Sequence, residues 1–345
     1  MKAARLYGTE DVRIDEVDAP EPGPGEVLVD VAACGICGSD LHFYEDADNY
    51  FEEGALPLTL GHEIGGTVAE TGEGVDIEVG TDVVLGPHTP CGECWCCERG
   101  KYNLCRDLNA TSARPGGYAE QVVESADNAI PLPDGVSPAD AAIAQPVSVG
   151  LHAVRQSPVG IGDSVAIVGA GPIGLGALRS AKSSGAAPIY VSEPQAARRE
   201  IAEDFGADVL IDPTEEDPAE RIHEETGTGV DVAFEAVGHG ATLSQAVEST
   251  KADGHTTVIG VFGGEVEFDP QLLVSAQRTV SGSTSHLVGP RLTEEYGVVI
   301  RQLAAGELDA EKYVTSRIGI DDVVEDGFEA LQDPDREERK ILVCP

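Results

Sequence analysis

Five of the chain's eight cysteines lie in one run of fifteen residues, CGECWCCERGKYNLC. Four of them, Cys91, Cys94, Cys97 and Cys105, follow the spacing C-x2-C-x2-C-x7-C. Gaps of two residues allow a turn to direct successive thiolates at one tetrahedral ion, with Zn–S distances of roughly 2.3 Å. Because four thiolates leave no open position on the ion, the spacing predicts a structural zinc site.

The fifth cysteine of this run, Cys96, is out of register and is expected to be a spare thiol. The main alternative is an iron–sulfur cluster, since four cysteines also hold such clusters; a group of free thiols is the other. Disulfides are not expected, because the start of the chain, MKAARLYGTEDVRIDEV, alternates like a first β-strand and does not resemble a signal peptide. These features favour a cytoplasmic protein, and the lack of an 18-residue apolar run argues against a membrane span.

Length and charge narrow the class of protein. The 345 residues suffice for about two domains, and 62 Asp and Glu against 22 Lys and Arg give a formal charge of −40. This surplus would repel nucleic acid and anionic membranes, so neither is an expected partner. The acidic residues are spread along the chain, which is typical of a halophilic protein in concentrated salt; an acidic mesophilic enzyme is the alternative. With 41% hydrophobic residues, disorder is not expected.

A second set of metal-ligand residues lies upstream, in CGICGSDLH and GHEIGGTVAETGEGV. Cys37, His62 and Glu63 offer a thiolate, an imidazole and a carboxylate, a mixed set that suits a catalytic zinc with one position open for water or substrate. Taken singly, His62 reads as a core histidine and Cys37 as an inert buried thiol. Beside the four-cysteine run, the three residues together predict a catalytic zinc site.

A nucleotide site is predicted where SVAIVGAG, a buried strand, runs into a glycine-rich turn and the helical pattern LGALRSAKSSGA. Gly169 permits the tight turn, Gly171 lets the backbone approach a pyrophosphate, and Gly174 lets helix and strand pack closely. The pyrophosphate would lie on the helix N-terminus. The predicted cofactor-binding turn is Gly169, Ala170, Gly171, Pro172, Ile173 and Gly174.

The next strand, PIYVSE, ends at Glu193, close to the spacing expected of the acid that binds the adenosine ribose. A carboxylate there accepts hydrogen bonds from the 2′-hydroxyl of NAD and repels the 2′-phosphate of NADP, so NAD is the predicted cofactor. Arg198 and Arg199 follow closely and would soften this preference if they bind the cofactor; ordinary solvated helix residues are the alternative.

Later alternations, VDVAFEAVG, TTVIGVFGG and TVSGSTS, read as further buried strands separated by helices. They predict an α/β domain with a doubly wound parallel sheet of the Rossmann type at about residues 151–287.

The chain resembles the zinc-dependent medium-chain alcohol and polyol dehydrogenases. GHEIGGTVAETGEGV matches their zinc signature, and the same family carries the CGICGSDLH segment, the cysteine lobe and a nucleotide domain in this order. Within it, the chain is most similar to 2,3-butanediol dehydrogenases, near sorbitol and threonine dehydrogenases. The resemblance implies a mainly β, GroES-like catalytic domain at 1–150, to which residues 288–345 return, and a homotetramer or homodimer.

The same resemblance implies a proton relay. Ser39, two residues after Cys37, matches the family's hydroxyl relay, and His42 is expected as its outer member, because an imidazole suits proton transfer. The alternatives are a helix-cap role for Ser39 and a structural hydrogen bond for His42.

One position departs from the family pattern. Polyol-type relatives carry glutamate where this chain has Gln145, in IAQPVSVGLHAV. A glutamine offers zinc a weak carbonyl oxygen but no charge. With Cys37 and Glu63 already balancing the charge of zinc, Gln145 is expected to leave the ion more electrophilic.

These residues together predict a zinc- and NAD-dependent oxidoreductase that acts on a small secondary alcohol or vicinal diol. Polyol, sugar and threonine oxidation on the same scaffold are the alternatives, and a non-catalytic zinc- and nucleotide-binding protein is a remote one. That last class tends to lose the open-site ligands, which this chain retains.

The charge also predicts salt dependence. A formal charge of −40 destabilises the compact state at low ionic strength through self-repulsion, and KCl screens that repulsion. The melting temperature should therefore rise with KCl concentration in a thermal denaturation series. A melting temperature that does not rise would contradict the halophilic interpretation.

Overall fold

The computed structural model describes residues 1–110, 116–333 and 336–345. They form two compact units, residues 1–145 with 287–345, and residues 146–286. The sequence places these boundaries after residues 150 and 287, slightly later than the structure does. No loop marks the first boundary, because one continuous helix, Ala144–Gln156, runs through it.

The first unit is mainly β-structure. Its N-terminal strands are β1 (Lys2–Gly8), β2 (Asp11–Glu16), β3 (Glu26–Gly35), β4 (Leu58–Thr59), β5 (Glu63–Thr71), β6 (Asp82–Leu85), β7 (His88–Thr89), β8 (Asn109–Ala110), β9 (Gln121–Ser125) and β10 (Ala129–Pro131). The helices in this part are α1 (Gly38–Glu45), α2 (Ala47–Tyr50), α3 (Pro138–Ala141) and α4 (Ala144–Gln156).

The second unit alternates strands and helices. Its elements are β11 (Val165–Val168), α5 (Pro172–Ser183), β12 (Ile189–Ser192), α6 (Ala196–Asp204), β13 (Val209–Ile211), α7 (Pro218–Thr226), β14 (Val230–Glu235), α8 (Gly240–Glu248), β15 (Thr250–Val258), α9 (Gln271–Val274) and β16 (Thr279–Gly282). The chain then returns to the first unit with α10 (Thr293–Ala304), α11 (Ala310–Tyr313), β17 (Ser316–Ile318), α12 (Glu329–Gln332) and β18 (Ile341–Val343).

The main sheet of the first unit has the order β10-β6-β5-β3-β18-β17, and β9 also pairs with β3. Its apolar residues point into a core in which Val27, Val29, Ile341 and Val343 are fully buried. The C-terminal strand β18 thus completes a sheet begun by the N-terminal third of the chain. A separate sheet, β2-β1-β4, contains the first residues.

The opening segment is a hairpin and not the single strand that its alternation predicts. β1 and β2 pair antiparallel from Lys2 opposite Glu16 to Gly8 opposite Asp11. Between them Glu10 has a φ of 56°, a left-handed turn conformation uncommon for a non-glycine residue.

All six strands of the second unit are parallel, in the order β13-β12-β11-β14-β15-β16. This is the doubly wound order of the Rossmann fold, which confirms the predicted α/β class. The central strand β11 is buried at all four positions, as its apolar run VAIV requires of a strand covered on both faces.

Two of the predicted buried strands differ in this sheet. TTVIGVFGG is a strand only as far as Val258, and Val261 beyond it is 59% exposed. TVSGSTS is the second. Its first four residues form β16, which lies at the sheet edge, where both end residues are exposed and the two middle ones half-buried. A half-polar sequence suits an edge strand, which has a neighbour on one side only. None of the helices in the described parts of the chain has the length and apolar character of a membrane span.

Candidate metal and nucleotide sites

The three upstream ligand candidates meet where two paired strands end. β3 ends at Gly35, opposite Glu63, the first residue of the antiparallel strand β5. Cys37 follows β3 as the N-cap of α1, and His62 precedes β5. The ligand atoms of Cys37, His62 and Glu63 all lie within 4.8 Å of one another. The structure therefore brings together the set predicted for a catalytic zinc.

Two glycines make room for this group. A Cβ atom on Gly35 would lie 2.0 Å from Glu63 Oε2, so no larger residue leaves the carboxylate in place. Gly61 has a φ of +95°, and a Cβ there would lie 2.7 Å from Cys34 Sγ. Both positions therefore require glycine, one for space and one also for its backbone conformation.

Asp40, a residue that the sequence did not single out, connects the ligands. It is 1% exposed, and its Oδ2 accepts hydrogen bonds from the Tyr118 hydroxyl at 2.7 Å and the Cys37 backbone N–H at 3.0 Å. Its other oxygen, Oδ1, lies 3.6 Å from His62 Nδ1. A carboxylate on one ring nitrogen of a histidine fixes the ring orientation and leaves the other nitrogen for an ion.

Glu63 has a buried cationic partner, Lys340. Its Nζ lies 2.8 Å from each carboxylate oxygen of Glu63 and donates to the Ile36 carbonyl at 2.6 Å. Both side chains are at most 3% exposed. Burial opposes the charge of Lys340, but Glu63 and Cys37 outweigh it and raise the pKa of Lys340. In the sequence analysis, the charge of zinc is balanced by Cys37 and Glu63 alone. Lys340 and Asp40 add one positive and one negative charge, which cancel, so the net charge around the ion is unchanged.

The electrostatics of this group favour a bound cation. Burial lowers the pKa of the His62 imidazole, but Asp40 and Cys37 together raise it well above its usual value. Such surroundings stabilise positive charge at the ring, which a proton or a metal ion can supply. A thiolate, an imidazole and a carboxylate are ligands that zinc accepts while one coordination position stays open, so the donor set fits zinc.

The predicted relay residues lie on the first turns of α1. Ser39 is the second residue of this helix and is half-buried, and His42 Nδ1 lies 3.8 Å from Glu45 Oε2. The helix-cap alternative for Ser39 does not hold, because Cys37 is the N-cap and the Asp40 side chain accepts its N–H. The relay role of both residues stays a prediction.

Gln145 is the second residue of α4 and is only 6% exposed, and its role as a zinc ligand stays a prediction.

His88, in β7, is a candidate functional residue that sequence reasoning missed. Burial of its ring and the nearby His62 lower the pKa of His88 to about 4, so this imidazole is neutral at pH 7. In the sequence, the one feature that could have drawn attention to His88 is its position three residues before Cys91.

The four predicted structural ligands form the second group. Sγ–Sγ distances are 3.6 Å for Cys94–Cys97, 3.8 Å for Cys94–Cys105 and 3.4 Å for Cys91–Cys105. Thiolates around a tetrahedral zinc are separated by about 3.8 Å when the Zn–S distance is roughly 2.3 Å. These cysteines are free, and Cys96 is not part of the group. The spacing fits a single ion, whereas an iron–sulfur cluster would hold its thiolates farther apart.

The glycine-rich turn has the geometry expected of a phosphate site. Gly169 has a φ of +96°, and a Cβ on Gly174 would lie 1.9 Å from the Gly169 carbonyl oxygen. Gly171 is the N-cap of α5, and a Cβ there would meet no atom within 4 Å, so its surface is open to a ligand. Pro172 and Ile173 start the helix.

Glu193 directly follows β12 and is 4% exposed. One carboxylate oxygen accepts the N–H of Ala170 in the glycine-rich turn at 2.9 Å, and the other accepts the N–H of Gln195 at 3.0 Å. Glu193 therefore joins the turn to the loop after β12. Arg198 and Arg199 lie in the first turn of α6.

Comparison with known protein families gives two matches. Residues 23–134 match the alcohol dehydrogenase GroES-like domain, and residues 172–305 match the zinc-binding dehydrogenase domain. The chain belongs to the zinc-binding medium-chain dehydrogenase family, which confirms the predicted resemblance.

Three curated relatives span nearly all of the chain. The (R,R)-butanediol dehydrogenase of Bacillus subtilis is 37% identical over the whole of both chains. The L-threonine 3-dehydrogenase of Pyrococcus abyssi is 38% identical over 96% of this chain and 94% of its own length. The sorbitol dehydrogenase of Bacillus subtilis is 34% identical over 100% and 97%.

Two solved structures share the architecture. A zinc-binding dehydrogenase from Sinorhizobium meliloti bound to NADP has a TM-score of 0.89 and 34% identity, covering 100% of this chain and 99% of that one. The 2R,3R-butanediol dehydrogenase from Bacillus subtilis has a TM-score of 0.85 and 36% identity, with the same coverage. The fold of both units is thus that of the family.

The Asp40 contacts predict a role for Tyr118 in metal retention. Tyr118→Phe removes one of the two hydrogen bonds to Asp40 Oδ2, and the carboxylate should then hold His62 less firmly. We expect loss of metal from this site to be about tenfold faster. The rate of metal loss can be measured in cobalt-substituted protein by following its visible absorption after a chelator is added. A site with one thiolate ligand absorbs differently from a site with four, so the two metal groups can be told apart.

Tyr44→Phe is the matched control. The rings of Tyr44 and Tyr118 both pack on Phe328, with centroids 5.0 Å and 5.9 Å away, so each variant removes one hydroxyl from the same aromatic cluster. Equal rates of metal loss in the two variants would show that the Tyr118 hydroxyl does not support the site.

Proposed function

We propose that the protein is a zinc- and NAD-dependent dehydrogenase that oxidises a secondary alcohol, with a vicinal diol of the 2,3-butanediol type as substrate. The observation that carries this proposal is the convergence of Cys37, His62 and Glu63 within 4.8 Å. The full-length similarity to butanediol dehydrogenases supports the substrate class. Threonine and sorbitol are the alternatives that the other relatives suggest.

Different residues of the proposed site bind zinc, position its ligands and transfer the proton. Cys37, His62 and Glu63 would hold zinc, which when bound lowers the pKa of a substrate hydroxyl, while NAD accepts the hydride. Asp40 keeps the His62 ring in place, and Lys340 restrains the Glu63 carboxylate. Ser39 accepts the proton of the substrate hydroxyl as its own hydroxyl proton moves on, and His42, half-exposed on the same helix, passes a proton to solvent.

NAD is the proposed cofactor because Glu193 would accept hydrogen bonds from the ribose hydroxyls and repel a 2′-phosphate. The main-chain N–H groups at the start of α5 would bind the pyrophosphate. Since a relative with 34% identity was solved with NADP, the two cofactors have to be compared directly.

We also propose that the four-cysteine group binds a structural zinc and that the protein is a homodimer or homotetramer. The exposed edge strand β16 and the apolar side chains of Val261 and Val274, 59% and 75% exposed, support an interface on the second unit. The free cysteines support a reducing compartment, which we propose is the cytoplasm.

The deciding experiment is a panel of oxidation rates in molar KCl. The substrates are the 2,3-butanediol stereoisomers, sorbitol, glucose and threonine, each with NAD and with NADP. We expect the highest kcat/KM for one butanediol isomer with NAD. Preference for threonine, sorbitol or glucose would move the protein to another branch of the family, and no activity on any of them would contradict the proposed substrate class.

The same panel tests the site through two cysteine variants. Cys37→Ser should lower kcat/KM at least about 100-fold, because it removes a thiolate ligand from the open zinc site. Cys96→Ser makes the same chemical change at a residue outside both metal groups and should leave the rate unchanged. Similar losses in both variants would argue against the assigned ligands.

Gln145 is expected to influence the pH dependence. Gln145→Glu adds a negative charge to a buried position near the start of α4, and the acidic limb of kcat/KM should move up by about one pH unit because the site becomes less electrophilic. Gln271→Glu, at an exposed position of the second unit, is the control for added charge. An acidic limb that does not move would contradict the idea that Gln145 keeps zinc electrophilic.

A further inference from the structure

Arg199 is held beneath the loop that follows β12. Its Nη1 donates to the carbonyl oxygens of Glu193 at 2.6 Å and Pro194 at 2.7 Å, and its Nη2 lies 2.9 Å from Asp212 Oδ2. The side chains of Arg199 and Asp212 are only 19% and 17% exposed. Three contacts therefore fix the guanidinium, and Asp212 neutralises its charge.

The position of Asp212 follows from the sheet. β12 and β13 are parallel neighbours with Ser192 opposite Ile211, so Glu193 and Asp212 are the first residues beyond adjacent strand ends. The Glu193 N–H also donates to the Ile211 carbonyl at 3.1 Å. The carboxyl edge of such a sheet is where a dinucleotide binds, and Glu193 is the predicted ribose ligand there. Asp212 therefore lies beside the adenosine end of the proposed site.

Asp212 is itself firmly positioned. Its Oδ1 accepts the Thr214 N–H at 2.9 Å and the Thr214 hydroxyl at 2.6 Å, while Oδ2 faces Arg199. These Thr214 bonds, and then Arg199, hold the pKa of the Asp212 carboxyl below its usual value, so it stays ionised at neutral pH. One oxygen thus builds the turn and the other restrains the arginine.

We infer that Asp212 is a specificity-determining residue for the cofactor, because it holds Arg199 away from the ribose 2′ position. A 2′-phosphate adds about two negative charges at neutral pH and binds where an arginine offers free N–H donors. Here the first turn of α6 carries Arg198 and Arg199, and three of the five N–H donors of Arg199 are taken by two carbonyls and a carboxylate. Discrimination against NADP then has two parts, the charge of Glu193 and the retention of Arg199.

Removing the charge of Asp212 should relax this discrimination. Asp212→Asn keeps an amide oxygen to accept from Thr214, so the turn is retained, but its NH2 group faces the guanidinium. Nη2 of Arg199 then loses its partner, while Nη1 keeps its two carbonyls. Arg199 then carries uncompensated charge, and the freed Nη2 can turn toward a 2′-phosphate. The inference rests on the proposed nucleotide site and predicts which residue tunes it.

The test is direct binding of NAD and of NADP to the full chain at one fixed KCl concentration, by isothermal titration calorimetry and by the ligand-induced rise in melting temperature. In Asp212→Asn the Kd for NADP should fall about five- to tenfold, whereas the Kd for NAD should change less than about twofold. Binding does not require turnover, so the result is independent of zinc loading.

Two further variants identify the cause. Asp208→Asn makes the same substitution at the other end of β13, where Asp208 pairs with Lys182, and should leave both affinities unchanged. Asp212→Asn combined with Arg199→Met should return NADP affinity to that of the parent, since the gain depends on the arginine. An NADP affinity that rises equally in Asp208→Asn, or persists without Arg199, would overturn the inference.

The outcomes also separate this inference from the proposed function. If the parent protein binds neither dinucleotide, the nucleotide site itself is wrong. If the parent binds NAD and Asp212→Asn leaves NADP affinity unchanged, the site stands and the role of Asp212 is overturned.

Discussion

The buried ion pair between Glu63 and Lys340 is the constraint on which the first unit depends. The two residues are 277 positions apart, and both lie where solvent is excluded. Removing one partner of such a pair leaves an uncompensated buried charge and typically costs about 3–5 kcal/mol. Lys340 immediately precedes β18, which pairs with the end of β3 next to Cys37. The C-terminal segment therefore has to dock before the ligand cluster reaches its final charge balance.

The sequence predicts those features whose causes are local. The cysteine run predicts a metal site because all four ligands lie within fifteen residues. The turn from Gly169 to Gly174 identifies a strand, a tight bend and a helix. The parallel sheet follows from the alternation of apolar runs with helical segments. The predictions were wrong where an alternating pattern does not determine how strands pair. Alternation did not reveal the hairpin after Gly8, nor that β16 lies at the edge of its sheet.

Contacts between distant segments were beyond sequence reasoning. Tyr118 lies 78 residues from the carboxylate it bonds, and a tyrosine in GGYAE has no feature that marks it as a partner of Asp40. Lys340 stands among arginines and glutamates near the C-terminus, where a solvated lysine is the ordinary expectation. Arg199 was recognised as a nearby cation, but only the structure shows that Asp212 and two carbonyls occupy three of its donors.

Cys37 is the N-cap of α1, and this role suggests that the two groups of metal-ligand residues become ordered in different ways as the protein matures. α1 is closed by the hydrogen bond between the Cys37 N–H and Asp40, and the neighbouring ligands start a long paired strand, so this framework is held by the protein's own contacts. The lobe of Cys91 to Cys105 has only short 3₁₀ turns and a two-residue strand on each side. With so little regular structure, the order of this lobe would depend on a bound ion, as in small zinc domains. Metal would enter the first group as a late addition to a finished fold, whereas the lobe would fold together with its metal.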